Sequence, residues 1–230
     1  MTSPSEIFDR LQNLRQKIIK CAVDAKRNRA SVTLVAVSKT KPVELIRQAY
    51  QAGQIDFGEN YVDELLKKKS QLAQLGLADL PIRWHFVGHL QRRKAKEIVG
   101  EVELIHSLDS LELANEINKR AMAQGIVQRC LLQVNLSGEA TKSGIQANEI
   151  QSFLTKTAPL KNLQIAGLMT LPPFFEDPEK SRPYFQKLRE LLPPPLTELS
   201  MGMSHDFKMA IEEGATLIRI GSAIFGKRNT

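Results

Sequence analysis

Lys39 ends the segment VTLVAVSKTKP, residues 32–42, where an apolar, β-branched run stops on an amine. Val32, Thr33, Val35 and Val37 beside Leu34 and Ala36 read as a strand covered on both faces, as in a parallel sheet. Pro42 takes the chain out of that strand. An amine at the carboxyl mouth of a buried strand lies in low dielectric, which favours its neutral form, and a neutral amine attacks carbonyls. Schiff-base formation is the chemistry this placement points to; the plain alternative is a lysine snorkelling from a strand end.

The elements that carry the other reactive residues decide between those two readings. Ile7, Leu11, Leu14, Ile18, Ile19 and Val23 recur at helical spacing, so the first thirty residues read as an amphipathic helix that ends in the basic segment 26–29. Strands are predicted within 54–60, 82–89, 102–110, 128–137, 163–171, 195–204 and 215–226, in addition to the first. Helical patterns separate them: 42–53, 61–75, 90–99, 111–125, 148–157, 179–192 and 206–214, several opened by Pro, Ser or Asp and closed by Gly. Strands and helices alternate eight times without a composition break, which predicts one domain over 1–230, an α/β (β/α)8 TIM barrel with an extra N-terminal helix. No dinucleotide fingerprint follows the first strand, no GxxxxGK[ST] occurs, and Gly226-Lys227 alone is too bare to count.

In a barrel the carboxyl ends of the strands form the reactive face. There the sequence places Lys39, Asn60, His85, His89, Ser107, Asn135, Met169, then Ser200, Gly202 and Ser204, and finally Arg219, Gly221 and Ser222. The loops after the seventh and eighth strands are where barrels bind phosphate, and small residues there let backbone N–H groups approach an anion. Arg219 would face the nitrogen of a pyridine ring; a guanidinium keeps its charge, holds that nitrogen unprotonated and weakens the ring as an electron sink. An amine for an aldehyde, a phosphate cradle and an arginine between them describe a site for pyridoxal 5′-phosphate (PLP). His85 and His89 lack an HExxH context and predict no metal site; His85 is expected to pack or hydrogen-bond near the ring.

The 230 residues are 42% apolar, which suits a soluble globular domain. Two cysteines give no disulfide framework, no leader-like apolar block opens the chain and no run approaches membrane-spanning length, so a cytoplasmic protein is expected. The net charge of +7 sits partly in residues 67–69 and 92–96. Without interleaved aromatics these read as solvated helix faces, not a nucleic-acid surface. The absence of a large apolar stretch outside the expected core predicts a monomer.

The segments AVSKTKP, FGENYVDE, WHFVGHLQRRKAK, IHSLDS, QVNLSGEATKSG, GLMTL, LSMGMSHDFKMAI and RIGSAIFG resemble the successive motifs of the pyridoxal-phosphate homeostasis protein family, single-domain relatives of the alanine racemase N-terminal barrel. The family pattern has asparagine where Arg93 stands and threonine where Ser222 stands, and the second exchange keeps the hydroxyl. The resemblance implies that Lys39 forms the internal aldimine, that Arg219 approaches the pyridine nitrogen, that Ser200, Ser204, Gly221 and Ser222 line the phosphate, and that Asn60 lies near the ring. It further implies cofactor buffering in vitamin B6, amino-acid and keto-acid balance, with no defined catalytic reaction and with apo PLP-dependent enzymes as candidate acceptors. Racemases of this type need a tyrosine delivered by a second domain or subunit, and the length is expected to leave no room for one. The competing readings are an amino-acid racemase or lyase using the same residues, a Schiff-base aldolase for a sugar phosphate, and a nucleic-acid binder.

Overall fold

The computed structural model describes residues 4–139 and 143–226, so the middle of the loop 138–144 and Lys227 lie outside the described residues. Eight parallel strands close into a barrel in sequence order: β1 (Thr33–Val37), β2 (Asp56–Glu59), β3 (Arg83–Phe86), β4 (Leu104–Leu108), β5 (Gln128–Gln133), β6 (Leu163–Met169), β7 (Glu198–Ser200) and β8 (Leu217–Ile220). β8 pairs back onto β1, with Val35 beside Arg219. The helix α1 (Pro4–Asp24) precedes the barrel. One helix then follows each strand: α2 (Val43–Gln51), α3 (Val62–Gln74), α4 (Ala95–Ile98), α5 (Leu111–Ala123), α6 (Ile150–Thr157), α7 (Arg182–Glu190), α8 (Phe207–Glu212) and α9 (Ser222–Phe225). Parallel neighbours require such crossovers, and covering both faces of every strand explains their near-continuous apolar runs.

Two apolar layers result. The larger lies between strands and helices and contains Ile7, Leu11, Phe57, Phe185 and Phe225. The smaller fills the barrel itself and consists of Val35, Leu104, Leu131, Met169 and Leu217. Strand side chains alternate inward and outward, so residues two apart share the barrel interior: Leu104 with His106, Leu217 with Arg219. Among the described residues no helix is long and apolar enough to cross a membrane, and Cys21 and Cys130 are both free.

The sequence reading differs from the structure in three elements. α1 stops at Asp24 because Lys26, at φ +56°, turns left-handed; Arg27 N donates to Ala22 O and Lys26 N to Val23 O, the pair of bonds of a Schellman stop. Gly53 closes α2 with the same bonds, so a lysine does at α1 what glycine does elsewhere, and no glycine marked the end. Ala22, not Ile19 or Val23, continues the buried stripe of α1. The predicted helix 90–99 is a 3₁₀ turn, Arg92–Lys94, followed by the single turn α4. In the last segment β8 ends at Ile220 and Gly221 releases the chain into α9, where the apolar run read as one long strand.

Candidate functional site

A cavity of about 470 Å³ opens at the carboxyl ends of the strands. Its lining includes Lys39, Asn60, Ser204, Arg219, Gly221 and Ser222, together with Lys41, Phe174 and His205 from the rim. Six of the seven residues selected from sequence therefore converge. The seventh, Ser200, does not line the cavity: it ends β7 fully buried inside the barrel, where its Oγ accepts a hydrogen bond from Arg219 Nη1. A phosphate contact is not where the structure puts it; its place is beneath the arginine.

Lys39 projects from a turn that is held on several sides. After β1, Ser38 N donates to Gly58 O at 2.9 Å and Lys41 N to Ser38 O at 3.0 Å, while Thr40 takes φ +63° and donates its N–H to Glu64 Oε1 at 2.6 Å. Below the turn Lys68 is 4% exposed and donates to Ser38 O, Glu59 Oε1 and Glu64 Oε1 at 2.6–2.7 Å. Lys68 is thus not part of the solvated basic face expected for residues 67–69. Burial raises the Glu59 carboxyl above its ordinary pKa despite the Lys68 charge beside it.

The opposite wall is small and polar. Ser222 Oγ donates to Ser204 Oγ at 3.1 Å, so the two hydroxyls share one hydrogen bond and keep a donor and lone pairs for a ligand. Gly202 sits at φ +91° with its missing Cβ 2.5 Å from Ala210 Cβ, and a Cβ on Gly221 would stand 3.1 Å from Val37 O. Only glycine closes the β7 loop that tightly. Met203 N donates to Asp206 Oδ1 at 2.6 Å and fixes the loop ahead of α8.

Between these walls Arg219 is buried, and burial lowers its guanidinium to about 10, which leaves it charged at neutral pH. Nη2 donates to Thr170 O at 2.9 Å. From Ser200 a chain of hydrogen bonds runs down the barrel: Ser200 Oγ to His106 Nδ1 at 2.8 Å, His106 Nε2 to His85 Nδ1 at 2.9 Å, His85 Nε2 to Asp56 Oδ1 at 3.0 Å. Arg83 closes the far end, with Nε and Nη2 on the Asp56 carboxylate at 2.8 and 2.7 Å. One polarity satisfies every atom: Arg219 donates to Ser200, Ser200 to His106, His106 to His85, and His85 to Asp56. The reverse would set an imidazole lone pair against a carboxylate. Burial, the largest cause, and the charge of Arg219 push His106 well below its ordinary range and keep it neutral, as this polarity needs. Burial alone would raise Asp56, but bonds from His85 and Arg83 outweigh it and hold the carboxyl below its ordinary value. His85, expected near the ring, lies deep in the barrel instead.

Sequence reading missed Thr170, Phe174, His205, His106 and Asp56. Phe174 and His205 come from two different loops and meet only at the rim, their rings 5.5 Å apart. His106 is visible as a lone polar residue inside the apolar run VELIHSL, and that interruption was the one available signal. Among the described residues no group of three or more His, Cys, Asp or Glu could hold a metal ion.

The family model described as alanine racemase, N-terminal domain, matches residues 11–229. A pyridoxal phosphate homeostasis protein of Aquifex aeolicus is 46% identical over 227 residues, which cover 96% of this chain and 97% of that protein. The structure of PipY from Synechococcus elongatus PCC7942 with PLP bound aligns at a TM-score of 0.83 and 36% identity, covering 96% of this chain and all of the other. An alanine racemase of Clostridium difficile 630 aligns at a TM-score of 0.67 and 13% identity over 57% of its own length, a likeness of fold.

Proposed function

The chain belongs to the pyridoxal phosphate homeostasis proteins, built on the alanine racemase N-terminal domain, and on that premise we propose that it holds PLP covalently on Lys39 and buffers it within the cell. The observation that carries this reading is that one cavity is lined both by Lys39 and by Ser204, Gly221 and Ser222, with Arg219 between them. Lys39 supplies the amine that condenses with the aldehyde and releases water. Ser204, Ser222 and the backbone at Gly221 take the phosphate, and Asn60 stands beside the ring. PLP bound here supplies an aldehyde and a conjugated ring.

Arg219 sets what the site does with that ring. A guanidinium that stays charged gives the pyridine nitrogen no proton, and the relay to Asp56 holds the guanidinium in place. Racemisation further needs an acid/base on the face opposite Lys39, and the lining residues include no tyrosine. Tyr61, the tyrosine nearest to the mouth in sequence, caps α3 and is 57% exposed. Binding and release without turnover fit these features better than racemase or lyase chemistry. The working setting is the cytoplasm, the working form a monomer, the recipients apo PLP-dependent enzymes, and the consequence of loss an altered amino-acid and keto-acid balance.

Borohydride reduction of the PLP-loaded protein, followed by peptide mass mapping, is expected to place the reduced adduct on Lys39. Lys39→Ala is expected to lose both the adduct and the visible absorbance; an unchanged visible band in that variant overturns the assignment. Faster loss of cofactor to an apo acceptor than to buffer supports direct handover, and racemised alanine above the level made by free PLP supports the enzymatic alternative.

A further inference from the structure

Beside the cofactor cavity lies a second one of about 220 Å³, lined by Asn60, Gly88, His89, Gln133, Asn135 and Ser143. The two cavities share Asn60, Val87 and Leu171 as a common wall. Among the described residues its lining contains oxygens, amides and an imidazole and no lysine or arginine, so no fixed positive charge among them repels an ammonium. The Asn60 Oδ1 in the shared wall is shielded from solvent and has no hydrogen-bond partner. A buried acceptor left unpaired is costly.

His89 adds chemistry to this cavity. Its Nδ1 lies 3.2 Å from Asp109 Oδ2 and 3.1 Å from Ser143 Oγ. Two oxygens gathered at Nδ1 hold the ring hydrogen there and leave the lone pair on Nε2. His89 follows β3 and Asp109 follows β4, so neighbouring strands fix the pair. Burial raises the Asp109 carboxyl above its ordinary pKa, and the imidazole beside it opposes that rise. Neither residue has a part in the cofactor cavity.

We propose that this chamber receives a small primary ammonium and that His89, oriented by Asp109, removes the proton that lets the resulting amine displace Lys39 from the cofactor. The inference deepens the proposed function and rests on its covalent bond to Lys39. An ammonium has no lone pair and cannot attack, so a base beside the site decides whether amino groups react at neutral pH. Once the proton sits on His89, the free amine bonds to the carbon that Lys39 holds. Both bonds from that carbon to the Lys39 nitrogen then break as the incoming nitrogen forms its own double bond to the carbon, the two protons left on the amine pass to Lys39, and His89, which is half exposed, returns the third to solvent. Nothing is oxidised and no water is consumed. The ammonium can be a free α-amino acid or a lysine side chain of another protein, which share this chemistry. In either case the arrival of the amine, not spontaneous hydrolysis, triggers release.

The test compares exchange rates on PLP-loaded protein with alanine, with Nα-acetyllysine amide, and with methoxyamine, which is already neutral at pH 7. Released adducts are trapped with borohydride and weighed. In His89→Gln and in Asp109→Asn the ratio of the alanine or lysine-amide rate to the methoxyamine rate is expected to fall about tenfold or more. A general loosening of the site changes all three rates together and leaves the ratio alone. Exchange with alanine only assigns the chamber to free amino acids, and exchange with the lysine amide only assigns it to protein side chains. An unchanged ratio in both variants, or no exchange with either ammonium, overturns the inference. Fixation of the cofactor on Lys39 by borohydride is measured first. Its failure removes the proposed function and this inference together, whereas fixation with an unchanged ratio removes the inference alone.

Discussion

His85 Nδ1 and His106 Nε2 face each other at 2.9 Å inside the barrel, and this contact joins a carboxylate at the amino-terminal end of the strands to the arginine that lines the cavity at their carboxyl ends. His106→Phe breaks the chain in the middle and leaves the Ser200 hydroxyl proton without an acceptor and His85 Nδ1 without a donor, although Ser200 Oγ still accepts from Arg219. Each stranded buried group costs about 1–3 kcal/mol, so the urea midpoint is expected to fall and PLP retention on gel filtration to weaken with it. Unchanged retention in a folded variant would show that Arg219 needs no brace.

Acid acts on the same contact. His106 has a folded pKa below its unfolded value of about 6.5, so on acidification the unfolded chain takes the proton first and stability falls with pH. The contribution is complete well above pH 6.5 and is lost as pH drops below it, at up to about 1.4 kcal/mol per pH unit. Asp56, whose carboxyl is depressed, adds a second loss only as pH falls through the carboxylate range. Urea unfolding at pH 7.5 and 5.5 is expected to differ by about 1 kcal/mol, and by less in His106→Phe.

Lys68→Met takes its ion-pair partner from Glu59, which is fully buried, and leaves the Ser38 hydroxyl on Oε1 and nothing on Oε2. Removing one member of a buried ion pair costs about 3–5 kcal/mol, whereas the double change Glu59→Gln with Lys68→Met is expected to cost less than the two single changes summed. Because Lys68 also holds Ser38 O, the loaded single variant is expected to lose cofactor faster than wild type, followed by visible absorbance.

Gly202→Ala places a Cβ at φ +91° and within 2.5 Å of Ala210 Cβ. Left-handed strain of about 1–2 kcal/mol adds to an overpacking cost of similar size, and the cavity wall at Ser204 is expected to move with the loop. Both the urea midpoint and PLP affinity are expected to fall.

Ser204→Ala and Ser222→Ala remove one hydroxyl each from the same wall, at exposed or half-buried positions where folding is little affected. A hydrogen bond to a charged group contributes about 1.5–3 kcal/mol, so each variant is expected to weaken PLP binding by about tenfold or more at unchanged thermal stability of the apo protein. Competition by inorganic phosphate should weaken in parallel.

Much of this site could be read directly from local sequence. A strand ending on Lys39, glycines and serines after the seventh and eighth strands, and alternation of strand and helix patterns are all local signals, and barrel topology turns strand ends into neighbours. Arg219 was legible for the same reason, being a charged residue in an apolar run. Lys68 was not, because a lysine between two other lysines on a helix looks solvated. Its burial follows from Glu59 and Ser38, which other elements bring beneath α3. Ser200 was placed one layer too high, since nothing in LSMGMS says that Met203 and Ser204 reach the cavity while Ser200 points into the barrel.

By itself the sequence determined which polar and basic side chains gather at the strand ends and which end of the barrel they occupy, because strand ends and loop residues are set by short-range pattern. Depth and pairing inside the ring were decided only by tertiary structure. Whether a histidine faces inward, and which partner from a distant strand meets it, depends on strand register and tilt, which arise when all eight strands close together.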